Sequence, residues 1–214
     1  MQAKRVGLPD VRHPQQTEVD ALIPLFTTGQ HDKLQAATRA MIDRYPRSGV
    51  LWKILGTSLH IQHKTAVEEL TRAAALSPDD PEIYCNLGAA QQDAQQIEQA
   101  IQSYQTALAL RPDYPEALNN YGTLLKDRGQ HLDAAKVLTR TIELQADNAD
   151  AHGNLGLTLM ALNEFDLAIR HLEHAVSLRP DSAVTHFNLG TAWHRKFYAE
   201  EAVTHFRHAI ELSP

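Results

Sequence analysis

Four asparagines recur at one spacing: Asn86, Asn120, Asn154 and Asn188 stand 34 residues apart. A carboxamide both donates and accepts hydrogen bonds, as a peptide unit does. A row of them could therefore hold a bound backbone without reading its side chains. Four residues before each asparagine, the chain has Glu82, Glu116, Asp150 and then Val184. The twelve histidines include two matched pairs, His171 with His174 and His205 with His208. A spacing of three on a helix can bring two imidazoles to one metal ion. No neighbouring cysteine or carboxylate completes either set in the sequence, and repetition alone explains the match, so no metal is expected. His152 and His186 read as packing residues with a polar edge. No phosphate loop, dinucleotide fingerprint, nucleophile elbow or carboxylate pair is present. The sequence therefore predicts no catalytic residue, no cofactor and no enzyme within these residues. Cys85 stands alone without a basic sequence neighbour and reads as a small packing residue.

The elements that position these groups follow a 34-residue beat. Pro78, Pro112, Pro180 and Pro214 each follow an A-x-x-L segment, and Ala146 fills the skipped beat. With Pro81, Pro115, Ala149 and Ala183 as position 1, position 7 reads Leu87, Tyr121, Leu155, Leu189. Position 8 reads Gly88, Gly122, Gly156, Gly190, and position 20 reads Ala100, Ala134, Ala168, Ala202. Position 24 reads Tyr104, Leu138, Leu172, Phe206. Positions 4, 7, 8 and 11 share one face of a first helix, and 20, 24 and 27 one face of a second. Glycine at 8 and alanine at 20 permit close approach of the two helices, toward the low end of ~8–10 Å. Such a period predicts stacked helical hairpins rather than one globular core. An upstream unit fits with Trp52, Leu55, Gly56, Ala66, Leu70, Ala73 and Pro78, its inter-helix turn shortened by two residues. A weaker unit ends at Pro46 and reads as an end cap.

These columns resemble those of the tetratricopeptide repeat (TPR) family, over about residues 15 to 214. The resemblance implies an all-α fold, a right-handed α-solenoid of about six helix-turn-helix units and twelve helices. The units are 15–46, 47–80, 81–114, 115–148, 149–182 and 183–214, preceded by a flexible tail over 1–14. It also implies a concave groove lined mainly by first helices, and a protein-binding scaffold. The run Leu25-Phe26-x-x-Gly29-Gln30, then Tyr45-Pro46 and Trp52-Lys53-x-Leu55-Gly56, resembles TPR arms of bacterial glycosyltransferases of the O-GlcNAc-transferase type, or of TPR-sulfotransferases. That second resemblance implies an alternative, the substrate-recruiting arm of a larger enzyme.

Position 6, which holds the asparagines, lies off the packing face with 2, 5, 9, 12 and 13. First helices stacked roughly 10 Å apart would set one asparagine against about every third residue of a strand rising ~3.3 Å per residue. Asn86, Asn120, Asn154 and Asn188 are thus the expected peptide contacts. The competing reading is that they are inherited family consensus, or that they bond within their own scaffold. Glu82, Glu116 and Asp150 would disfavour acidic ligands, leaving neutral to mildly basic segments as the expected partners.

The formal charge is −6, with 21% charged and 43% hydrophobic residues. Neither a nucleic acid nor an anionic membrane is the expected partner, since both select clustered Lys and Arg. No stretch has the length and apolarity of a membrane span or secretory signal, and a cytoplasmic location is expected. Pro214 closes a unit without the extra polar helix that commonly caps such arrays. The natural protein is accordingly expected to continue, or the last unit to self-associate.

Overall fold

The computed structural model describes residues 13–213. Helices account for all its regular structure, and the chain forms two compact units that divide between Leu110 and Arg111. The first contains α1 (Gln16–Asp20), α2 (Ile23–Thr27), α3 (His31–Arg44), α4 (Gly49–Ile61), α5 (Val67–Leu76), α6 (Pro81–Asp93) and α7 (Ile97–Leu110). The second contains α8 (Pro115–Asp127), α9 (His131–Leu144), α10 (Ala149–Ala161), α11 (Phe165–Leu178), α12 (Ala183–Arg195) and α13 (Ala199–Leu212). Within each unit, hairpins such as α4–α5 and α10–α11 stack so that one hairpin's second helix packs on the next hairpin's first. Each unit is thus a short α-solenoid. Among the described residues, no helix is long and apolar enough to cross a membrane.

The packing columns have the contacts their sizes predict. A Cβ on Gly56, Gly122 or Gly156 would lie 2.6–2.7 Å from the Cγ of Leu70, Leu138 or Leu172. On Gly88 or Gly190 it would lie 2.8 Å from the ring of Tyr104 or Phe206. Each glycine at position 8 is therefore covered by the side chain at position 24. The alanines at position 20 are buried throughout. The core follows the stack: Met160 packs both against Leu138, Leu155 and Leu159 and against Ile169, Leu172 and Leu189.

The turns inside the hairpins repeat more strictly than the sequence suggests. Position 15 has positive φ in every hairpin: Gly29 (68°), His63 (53°), Gln95 (59°), Gly129 (75°), Asn163 (63°) and Phe197 (68°). The next residue's N–H reaches back to the carbonyl at position 11, as in Gln30 to Leu25, Gln130 to Leu125 and Tyr198 to Trp193. This is the Schellman closure of a helix C-terminus. It corrects the expected shortened turn after α4. His63 keeps the left-handed geometry, and the start of α5 gives way instead: two residues are missing there and Thr65 and Ala66 stay outside the helix, so α5 spans 10 residues where α9 spans 14.

The twelve expected helices are present in their repeated order, the first of them split into α1 and α2. Pro24 has no N–H to give the carbonyl of Asp20, and its ring crowds that carbonyl. The chain breaks at Ala21–Leu22 and restarts with Pro24 in the first turn of α2. Leu22 at the break is buried in the core of the first unit. Most of the expected tail, residues 1–12, lies outside the described residues. Where Ala146 replaces the proline of the beat, Asn148 accepts a hydrogen bond from the Ala151 N–H at 3.0 Å and caps α10.

Candidate groove and histidine clusters

In the first unit, positions 2, 5, 6 and 9 of successive first helices meet at one open hollow. Its lining comprises Lys53, Ile54 and Thr57 from α4, Glu82 and Asn86 from α6, and Val19, Leu22, Ile23 and Phe26 from the split first helix. The cavity measures about 250 Å³. The break at Pro24 brings the Ile23 and Phe26 side chains to this hollow, where both remain substantially exposed. The site is therefore apolar on one side and carboxamide-bearing on the other.

Asn86 is half-buried, and its Nδ2 donates to the Thr57 hydroxyl at 2.9 Å. In the second unit, Asn154 repeats this bond to Thr123, also at 2.9 Å. The Lys126 ammonium donates to Asn154 Oδ1 at 3.4 Å. These threonines sit at position 9, which reads Thr57, Ala89, Thr123 and Leu157. Leu157, in the repeat before Asn188, offers no hydroxyl. Asn120 and Asn188 are half-buried as well, so none of the four amides is sealed in the core. An asparagine amide has two donors and two acceptor lone pairs. The single N–H given to threonine orients the group and leaves a second N–H, with acceptor capacity on the oxygen.

The acids at position 2 are engaged by the scaffold. Lys53 Nζ lies 2.8 Å from Asp80 and 3.0 Å from Glu82. Burial opposes the charge on Lys53, but its hydrogen bonds to the two carboxylates and their charges outweigh this and hold its pKa above the ordinary lysine value. Asp150 is paired with Arg179 at 2.8 and 3.3 Å. The Tyr114 hydroxyl donates to Glu116 at 3.4 Å. His60 faces Asp93 across 3.5 Å. The negative field expected along the groove is thus partly neutralised by cations that side-chain spacing alone does not pair. Lys53, Ile54, Thr57 and Phe26 line the hollow and were not among the expected contacts. The recurrent threonine at position 9 was the available signal.

The histidine pairs become triads. His186 Nδ1 lies 3.2 Å from His205 Nδ1, with the His208 ring centroid 5.2 Å from that of His186. One hairpin earlier, His152 Nδ1 lies 3.1 Å from His171 Nδ1, and the His174 centroid is 4.3 Å from that of His152. Position 4 has a structural duty. Trp52 Nε1 donates to the Pro46 carbonyl at 3.0 Å, and His152 and His186 Nε2 reach the Ala146 and Pro180 carbonyls at 3.1 Å. Each ring N–H ties a first helix to the turn before it. His152 is held below its usual pKa by burial and by charge repulsion from His174, against the Ala146 bond. His171 is lowered by burial and by His152, Arg170 and His174. His205 is lowered by burial and by His186 and His208.

Comparison with known proteins bears on this geometry. Residues 62–95 and 92–127 match a family model described as TPR repeat, and residues 149–182 one described as tetratricopeptide repeat. No curated protein sequence matches significantly. Among solved structures, MamA 41-end from Desulfovibrio magneticus RS-1 is 25% identical, covering 77% of this chain and 94% of that one, with a TM-score of 0.70. The Cut9–Hcn1 hetero-tetramer of the APC/C matches at 22% identity, covering 95% of this chain and 41% of that one, with a TM-score of 0.80. YrrB, described as a TPR protein with an unusual peptide-binding site, matches at 19% identity over 83% of this chain and 93% of that one, with a TM-score of 0.68.

Proposed function

The chain belongs to the tetratricopeptide-repeat family, and from that premise we propose that it is a non-catalytic protein-interaction scaffold whose first helices bind extended peptide segments. The carrying observation is the hollow where Ile23, Phe26 and Ile54 face Asn86 and Thr57. An extended segment presents an apolar side chain and peptide N–H and C=O groups at the same time, which suits that combination. The threonine bonds of Asn86 and Asn154 support the same reading, since an amide already oriented loses less freedom on binding. The peptide-binding site ascribed to YrrB is a precedent on the same fold.

Partners in this reading are protein segments, neutral to mildly basic. Asn86, Asn120, Asn154 and Asn188 contact their backbone, while Glu82, Glu116 and Asp150 tune their charge. The ion pairs of Glu82 and Asp150 make that charge preference weak.

The test is selection of peptides from a random twelve-residue display library, followed by titration of synthetic binders. Replacing both Asn120 and Asn154 by Ala should weaken the selected peptides at least about tenfold, at ~1 kcal/mol or more for each lost hydrogen bond pair. Unchanged affinity with an intact circular dichroism spectrum would reject the role of the amides. Failure to select any binder would reject the peptide-binding reading itself.

A further inference from the structure

We propose that His186, His205 and His208 form a binding site for a zinc-class divalent cation at the α12–α13 hairpin. One ring nitrogen from each of the three residues lies within 4.8 Å of the other two. Zn²⁺ bound by imidazole at ~2.0–2.1 Å in tetrahedral geometry sets its donor nitrogens about 3.3 Å apart. The His186 and His205 Nδ1 atoms already stand at 3.2 Å. His208 follows His205 by three residues on α13, and its exposed side chain is free to close the remaining distance by rotating about its χ angles.

The tautomer of His186 is set by its surroundings. The Pro180 carbonyl can only accept, so His186 Nε2, 3.1 Å away, must carry a proton. In the neutral ring this leaves the lone pair on Nδ1, facing His205. A ligating histidine whose other nitrogen donates to a backbone carbonyl is the usual outer arrangement of a metal site, fixing ring orientation and raising ligand basicity. Three imidazoles with no thiolate suit Zn²⁺, Cu²⁺ or Ni²⁺ rather than Mg²⁺ or Ca²⁺. Glu211 lines the same hollow of about 340 Å³ as His186 and His208, and its negative charge favours a cation there.

The preceding hairpin provides an internal contrast. His152, His171 and His174 occupy the same positions, but there the Ala146 carbonyl engages both His152 Nε2 at 3.1 Å and His174 Nε2 at 3.3 Å. That second bond commits His174 Nε2 to the backbone, and only the α12–α13 set gathers three nitrogens among the described residues. The residue equivalent to Glu211 is Ser177, whose hydroxyl donates to the His174 carbonyl.

The test uses tag-free, chelator-stripped protein titrated with ZnCl₂ in competition with a chromophoric chelator. It should bind one equivalent of Zn²⁺. His205→Ala with His208→Ala should abolish this binding, whereas His171→Ala with His174→Ala should leave it intact. Glu211→Gln should weaken it by about tenfold. Titration with Co²⁺ should give the intense visible absorption of a four-coordinate ion, lost in the His205/His208 double variant. Absence of stoichiometric Zn²⁺ binding would overturn the proposal. So would retention in the His205/His208 variant, loss in the His171/His174 variant, or a weak six-coordinate Co²⁺ spectrum. Circular dichroism checks that each variant is folded.

Discussion

The same substitution, glycine to alanine, should have opposite effects at two positions three residues apart in α10. At Gly156 the new Cβ would meet Leu172 Cγ at 2.6 Å and Cδ2 at 2.9 Å, with the Ala168 carbonyl at 3.3 Å. Carbon contacts are comfortable at roughly 3.5–4.0 Å, so the methyl arrives about 1 Å too close. Cγ is the branch point of Leu172, and the buried side chain cannot swing aside without moving α11. Overpacking of this kind costs about 1–3 kcal/mol. The gain from replacing a mid-helix glycine recovers about 0.8–1.0 kcal/mol. Gly156→Ala should therefore destabilise by up to roughly 2 kcal/mol. At Gly153 nothing lies within 4 Å of the added Cβ. Only the propensity gain applies, and Gly153→Ala should stabilise by up to ~1 kcal/mol. Since both variants share that gain, their difference isolates the packing cost. Urea unfolding followed by circular dichroism reads the two midpoints against wild type, with an accompanying shift of about 2–4 °C per kcal/mol in Tm. If both variants shifted the midpoint in the same direction by similar amounts, the close helix approach at position 8 would not be the constraint described here.

Further outcomes follow from the same geometry. Phe197 has φ 68° and is 94% exposed, so Phe197→Gly should stabilise the last hairpin by ~1 kcal/mol, seen as a raised thermal midpoint. The pKa values of His152, His171 and His205 are all lowered in the folded chain. The unfolded chain therefore binds more protons below about pH 6.5. Stability is fully present above that pH and is lost as pH falls from the unfolded toward the folded pKa values, a trend for thermal denaturation between pH 7.5 and 5. A midpoint independent of pH across this window would contradict it. In the hollow of the first unit, Ile54→Asp should weaken peptides selected by the wild-type chain at least about tenfold, because it places a carboxylate where an apolar side chain is received. Equal affinity in isothermal titration would show that they bind elsewhere.

Much of this was legible in the sequence wherever one residue type must recur for one packing reason. Gly156 under Leu172 is such a case, and so is Ala168 at the helix contact. Features that vary in residue type at constant geometry were less visible. The left-handed turn position carries Gly, His, Gln, Asn and Phe, because the closure depends on the backbone and tolerates the strain of a side chain. The period suggested an uninterrupted helix over the residues where Pro24 breaks it. The first hairpin departs from the consensus, and its departure creates the apolar hollow, so column matching passed over Phe26 and Ile54. The asparagine column was visible at once. Its threonine anchors were not, because each stands one repeat earlier and the partner at Asn188 is Leu157. The histidine triads required His186 to cross from α12 to α13, a contact spanning 19 residues.

The central claim is that the asparagine amides of the first helices touch bound peptide, and their own NMR signals test it most directly. The side-chain ¹⁵N–¹H₂ resonances of Asn86, Asn120, Asn154 and Asn188 would be followed while a library-selected peptide is added to labelled protein. The account predicts saturable shifts of the asparagine pairs in the unit the peptide occupies, Asn86 in the first or Asn120, Asn154 and Asn188 in the second, while the amide of Asn163, in the exposed α10–α11 turn, stays in place. Saturation of binding with the four asparagine pairs unmoved, and shifts confined to second-helix residues such as Leu132 and Leu167, would contradict it.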